Sequence, residues 1–303
     1  MSRKRCKIWV KTSLLFLQKQ PGKFALVEAL GAEYTERMTL SLRWLQSEIA
    51  DRMLQKLDIV KLDPKDVLLI PDFPGAHAEF LSKRFPGVAF HSVAEEDLSS
   101  IDFLRLKIAR KWRNVFKGGS STFLEVFRRT GRIELPDNSV DLIFSDLLIQ
   151  DLPDPKHFLK ECWRVLKEGG LLTLSYLGPD TGKELRAIEG PQQLGLKNLT
   201  SPWDMHDMGD ALLGERFSDP VMDMELLTLD YDSDVLMLSD ARALHLIEAT
   251  QIDEPSCELP KKLTLELVYG HAWALGKHLA TAQNQVAYID PKQIKRKTIS
   301  DSD

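Results

Sequence analysis

The chain has 303 residues, 43% of them apolar, and a formal net charge of -5. That is enough apolar material for one large core or two modest ones, and no apolar run approaches the length that crosses a bilayer. Cys6, Cys162 and Cys257 are odd in number and far apart, which excludes a disulfide framework and zinc-ligand spacing and suits a reducing cytoplasm.

Residues 1–30 form a basic extension carrying Arg3, Lys4, Arg5, Lys7 and Lys11. Lys11 interrupts its apolar part and no small-residue cleavage site follows, so a solvated arm is expected rather than a signal peptide. From Glu33 to Leu57, Trp44, Ile49, Met53 and Leu54 recur at three- and four-residue steps and predict a helix. The Asp63-Pro64 turn introduces an apolar strand, Val67 to Ile70, and a second strand runs from Val88 to Val93. Between Asp97 and Gly131, Ile101, Leu104, Ile108, Trp112, Val115 and Phe116 make one helical face. Arg105, Lys107, Arg110, Lys111, Arg113 and Lys117 line the other, until Gly118 to Ser121 breaks the pattern. Arg128, Arg129 and Arg132 prolong the positive charge. This cationic side is either a solvated face or a dock for an acidic protein. Nucleic acid is disfavoured, because the chain is acidic overall and shows no recognition motif.

A turn at Pro136-Asp137-Asn138 opens a buried strand, Val140 to Ser145. Asp154 as N-cap and Pro155 at the first helical position start a helix with Phe158, Leu159, Cys162, Trp163, Val165 and Leu166 on its apolar face. Gly169-Gly170 is expected to end it, and Leu171 to Leu177 is the next strand. Strand, helix, strand in this order is a right-handed crossover in a parallel sheet. Gly178-Pro179-Asp180-Thr181 turns into a helix carrying Glu184, Leu185 and Arg186. Pro202 to Leu213 is a loop and helix with His206 and Asp207, and Ser233 to Thr250 a further helix. Val221 to Tyr231 and Lys262 to Trp273 are paired as the antiparallel end of the sheet, with His271 as a satisfied sheet histidine. Residues 283–303 are expected to be a disordered tail.

The wording of these segments adds to their pattern. LPDNSVDLIFS (135–145), DP..FLKE.WRVLKEGG (154–170), LLTLSYLGPDT.KELR (171–186), DMHDMGDALLGERFSDPVMDMELLTLDY (204–231) and LTLELVYGHAW (263–273) resemble the class I S-adenosylmethionine-dependent methyltransferases. The likeness is greatest to the malonyl-acyl-carrier-protein O-methyltransferases of biotin synthesis and runs from Tyr34 to Trp273. RVLK.GG is shared by many methyltransferases; LGPDT, DMHD.GDAL and YGHAW are more specific. The resemblance implies an α/β fold with a doubly wound, mostly parallel, seven-stranded Rossmann-like sheet over residues 31–280. Residues 98–131 would be a basic helical insertion, and the N-terminal extension helical. It also implies S-adenosylmethionine as cofactor, a malonyl thioester on acyl carrier protein as substrate, carboxyl methylation as reaction and the cytoplasm as location.

The cofactor motifs depart from that pattern. The family has an acid and a Gly-x-Gly-x-Gly turn after the first strand, which lets backbone approach the cofactor. Aligned on Phe85-Pro86-Gly87, this sequence has Leu69 at the acid, Pro71 and Phe73 at the first two glycines, and Gly75 at the third. Ala94 stands where the ribose-binding acid belongs, with Glu95 as the candidate that a one-residue slip would bring into reach, and Arg129 where an acid meets the adenine amino group. Each lost charge-assisted hydrogen bond costs about 1.5–3 kcal/mol, so three such losses would erase micromolar binding. Lost or altered cofactor binding is therefore expected, with an active O-methyltransferase and a non-catalytic carrier-binding or assembly factor as the alternatives. At the end of the fourth strand, Asp146 would face the transferred methyl group and either polarise a substrate or cap a loop. Arg186 would hold the substrate carboxylate through a bidentate guanidinium, or else pair with Glu184 or Glu189. His206 would make a helix N-terminal contact rather than carry a proton.

Overall fold

The computed structural model describes residues 44–72, 76–94, 120–187, 203–247, 259–277, 281–283 and 286–288. The N-terminal extension, Phe73, Gly75, Glu95, the helix expected before Gly118, Glu189 and the final residues of the tail lie outside them.

Helix α1 (residues 44–56) buries Leu45, Ile49, Met53 and Leu54 at the spacing read from the sequence. Ion pairs fix it to the far edge of the sheet. Arg52 joins Glu48 to Glu225 and Lys56 reaches Asp223 at 2.5 Å, its ammonium lying 4.6 Å above the Tyr269 ring. Strand β1 (Asp66–Asp72), helix α2 (Ala76–Arg84), β2 (Ala89–Ala94) and β3 (Ser121–Phe123) follow. The region read as one basic insertion thus ends in a strand and then α3 (Leu124–Thr130), closed by Gly131 at φ 66, a left-handed conformation that favours glycine.

Next come β4 (Val140–Ser145) and α4 (Pro155–Val165). Asp154 caps α4 as expected, its carboxylate accepting from His157 N at 3.1 Å. Phe158, Leu159 and Val165 on α4 are fully buried, each worth about 1.5–3 kcal/mol of transfer free energy. β5 (Leu166–Leu177) begins directly after α4, earlier than expected. Gly169-Gly170 does not end the helix. It lies in a bulge, because Val140 pairs with Leu166 whereas Leu142 pairs with Leu171. Gly169 has φ 78 there, and a Cβ on Gly170 would stand 3.0 Å from the Lys167 carbonyl. The remaining elements are α5 (Lys183–Arg186), α6 (Met205–Gly214), β6 (Ser218–Asp230), α7 (Asp234–Ala243) and β7 (Lys262–Ala274). A separate hairpin of β8 (Thr281–Gln283) and β9 (Val286–Tyr288) means that the tail expected from residue 283 starts within a strand pair.

The main sheet has seven strands in the order β3-β2-β1-β4-β5-β7-β6. Its first five are parallel, and β7 runs antiparallel to both neighbours, so β6 and β7 form the expected antiparallel end. One apolar cluster packs α1, α2 and α7 on one face; a second packs α3, α4 and α6 on the other. Strands covered on both faces explain the near-continuous apolar runs of β1, β4 and β5. Among the described residues no helix is long and apolar enough to cross a membrane.

Candidate functional site

Open α/β sheets take ligands outside the carboxyl ends of their strands, where the strand order reverses. Here that point lies between β1 and β4. Register aligns Asp72 with Ala94 and Ala94 with Phe123, and sets Ser145 beside Leu174. These strand ends form one rim.

On the β1 side, the β1–β2 ladder is regular to Leu69–Ser92 and then slips before Asp72–Ala94. Pro71 lies in the slip and has no N–H to give to a ladder or a ligand. Leu69 is fully buried in the cluster beneath α1 and α2. Arg129 is exposed on the last turn of α3.

The β4 side holds the main polar cluster. Asp146 is completely buried, with Ser175 Oγ of β5 donating to its Oδ1 at 2.6 Å. Its Oδ2 lies 3.0 Å from Nε2 of His77, which sits in the first turn of α2. His77 is 2% exposed, and its ring tilts against Phe144 with centroids 5.5 Å apart. Ser175 Oγ also accepts from Leu147 N at 3.2 Å, while Gln150 Nε2 donates to Leu147 O at 2.8 Å. Asp146 therefore joins a helix and two strands from within. His77 and Ser175 are the residues that sequence reading missed. The alternation of Thr173 and Ser175 inside an apolar strand was the available signal, since it places both on one face.

Arg186 is not paired with Glu184, and its other expected partner, Glu189, lies outside the described residues. Its guanidinium donates to the carbonyls of Thr181 at 2.7 Å and Pro179 at 2.8 Å. Glu184 instead accepts from Thr264 N at 2.9 Å, and Glu266 Oε2 accepts from Asp180 N at 2.6 Å. The Gly178–Thr181 turn is thereby stitched to β7. A Cβ on Gly178 would stand 2.6 Å from the Glu266 carboxyl carbon, so a larger residue there would push that carboxylate away from Asp180 N. His206 is exposed, and its backbone N–H donates to Asp204, the N-cap of α6.

His271 lies in the sheet as expected, but it is not satisfied. Neither ring nitrogen, nor Oγ1 of Thr173 opposite it on β5, has a hydrogen-bond partner among the described residues. Burial, and then the nearby Lys56 charge, push its imidazole down to about 4, against an opposing pull from Asp223. The unfolded chain, titrating near 6.5, thus takes up a proton that the folded chain refuses. Stability is full above pH 6.5 and falls as pH drops toward 4, by roughly 3 kcal/mol. Urea unfolding at pH 7.5 and pH 4.5 is expected to show this loss, and His271→Leu to reduce it by that amount. An unchanged pH dependence in the variant would contradict the assignment.

A seven-stranded sheet with one reversed strand next to its edge, its order turning between β1 and β4, defines the class I methyltransferase fold. Residues 91–174 match the family model described as a methyltransferase domain. The chain is 34% identical over 252 residues to a malonyl-[acyl-carrier protein] O-methyltransferase of Gallionella capsiferriformans, covering 76% of this chain and 83% of that one. It is likewise 34% identical over 246 residues to malonyl-[acyl-carrier protein] O-methyltransferase 1 of Coxiella burnetii, covering 74% and 79%. The chain belongs to the malonyl-[acyl-carrier protein] O-methyltransferase family. The solved structure of the YcgJ protein from Bacillus subtilis superposes with a TM-score of 0.49 at 14% identity, over 75% of this chain and 98% of that one, a likeness too distant to add to the topology.

Proposed function

We propose that this chain engages the carrier-bound malonyl thioester for which its relatives are named, while its hold on S-adenosylmethionine is lost or altered. The closed end of β4 carries the second part: Asp146 is wholly buried, and both its oxygens are engaged by Ser175 and His77. Adenosine recognition calls for a carboxylate that accepts from the ribose hydroxyls, and the methionine tail for backbone N–H groups from a glycine turn. At the matching positions the described residues offer buried Leu69, Pro71 without an N–H, and a β2 that ends at Ala94. These positions support the reading that the hold on the cofactor is lost or altered.

The substrate part is supported by the relatives named for that substrate, which align with 76% and 74% of this chain. On this reading the chain acts as a carrier-binding subunit. The active-enzyme reading draws on the 34% identity across 83% of a relative's length. It also draws on chemistry: methyl transfer to a carboxylate depends mainly on positioning, so no single side chain carries it.

Calorimetry with S-adenosylmethionine and S-adenosylhomocysteine decides between the two. The expected result is a dissociation constant weaker than about 1 mM for each. Micromolar binding by the unaltered chain, with turnover of malonyl-acyl carrier protein, would establish the active enzyme instead.

A further inference from the structure

The outer faces of α3 and α4 carry cations that the fold leaves unused. Arg128, Arg129 and Arg132 are exposed at the end of α3 and just beyond it, and Lys160 is exposed on α4. Among the described residues none of the four takes part in an ion pair; Asp137, which feels the charge of Arg132, already accepts from Arg164 at 2.7 Å. In a chain of net charge -5, these four cations outnumber Glu125 and Glu134, the exposed acids of the segment from α3 to Glu134.

Their place in the fold gives this excess a direction. α3 leaves the end of β3 at the register line joining Asp72, Ala94 and Phe123, which is the rim of the crevice. It lies against the first turns of α4, with the Phe127 and Phe158 rings in edge contact at 5.8 Å and His157 Nε2 bonded to the Gly131 carbonyl. At about 1.5 Å per residue, Arg128 and Arg129 stand within two turns of the rim. The neighbouring α6 has the opposite character. Asp207, Asp210 and Glu215 line a groove there with Trp203, and Lys156 lies 5.8 Å above the Trp203 ring. An acidic partner is drawn to α3 and turned away from α6, so it meets the rim in one orientation.

We propose that the α3–α4 face around Arg128, Arg129, Arg132 and Lys160 is the docking surface for a small acidic carrier protein that presents its thioester at the crevice. This rests on the substrate reading above but is independent of the cofactor question. Guanidiniums suit the role because they grip surface carboxylates in pairs and stay charged throughout the physiological range. Interfaces of this kind set encounter rate and orientation, and they weaken with salt.

The test is binding of malonyl-acyl carrier protein to the full chain, without S-adenosylmethionine, at about 50 and 300 mM salt. The proteins compared are the unaltered chain, Arg128→Glu/Arg129→Glu/Arg132→Glu, and, as control, Lys61→Glu, exposed before β1 at the amino ends of the strands. Circular dichroism melting verifies that each is folded. The proposal expects salt-sensitive binding by the unaltered chain, at least about 10-fold weaker in the triple variant and unchanged in the control, a difference of about 1.4 kcal/mol or more. If the triple variant binds within twofold of the unaltered chain, the docking surface is overturned while the substrate reading stands. If the unaltered chain fails to bind the carrier at low salt, the substrate reading falls and the surface with it. Binding of a 20-residue oligonucleotide in place of the carrier would assign the cations to nucleic acid and overturn both.

Discussion

Replacing His77 with Met is expected to lower folding stability by about 3 kcal/mol. For a domain of this size, at about 2–4 °C per kcal/mol, that lowers the melting midpoint by roughly 6–12 °C. Met nearly matches His in volume, so the loss is polar rather than a packing defect. It arises because Oδ2 of Asp146 has His77 Nε2 at 3.0 Å and no access to water. Asp146→Asn alone is expected to cost less, since an amide oxygen still accepts from Ser175. Combining the two should recover at least about 1 kcal/mol relative to His77→Met, because the stranded charge has gone. Denaturant unfolding of the four proteins measures this coupling. Strictly additive effects would mean that His77 and Asp146 do not act as a pair.

Arg164→Met should be nearly as damaging, at about 3 kcal/mol, again read by denaturant unfolding. The guanidinium holds both oxygens of Glu161, at 2.9 and 2.7 Å, the carbonyls of Ile133 and Leu135, and Asp137. Glu161 in turn accepts from Ile133 N at 3.0 Å. The side chains are only 18% and 11% exposed, so water compensates little. Burial opposes ionisation of Glu161, but Arg164 and the Ile133 N–H overcome it and hold the carboxyl below its usual range. The whole approach to β4, from Ile133 to Asp137, is bound to α4 through this one planar group. Lysine offers three donors on a point charge and cannot reproduce the fork, so Arg164→Lys should recover less than half of the loss. Full recovery in the Lys variant would show that charge alone matters here.

The elements that sequence reading placed well are those whose causes lie within a few residues. Asp154 and Pro155 start α4 because an N-cap carboxylate and a ring-fixed φ act on the next turn. The apolar runs at Val140–Ser145 and from Leu171 became paired strands. Gly169-Gly170 misled because the same dipeptide suits a helix end and a bulge, and only the pairing with β4 selects between them. β3 was missed because three residues carry too little pattern to detect.

The candidate site was less legible. Asp146 was visible as an acid at a strand end, but its partner His77 is 69 residues away in the chain. Arg186 suggested a substrate clamp, yet it meets carbonyls only five and seven residues back, once the turn has folded against Glu266. Local chemistry along the chain determined the crossovers, the caps, the family and the departures at Leu69, Pro71 and Ala94. Only the tertiary structure decided where the buried polar groups find partners. Sheet order and register bring together strands distant in sequence, and a polar group removed from water must bond to whatever that arrangement places within about 3 Å.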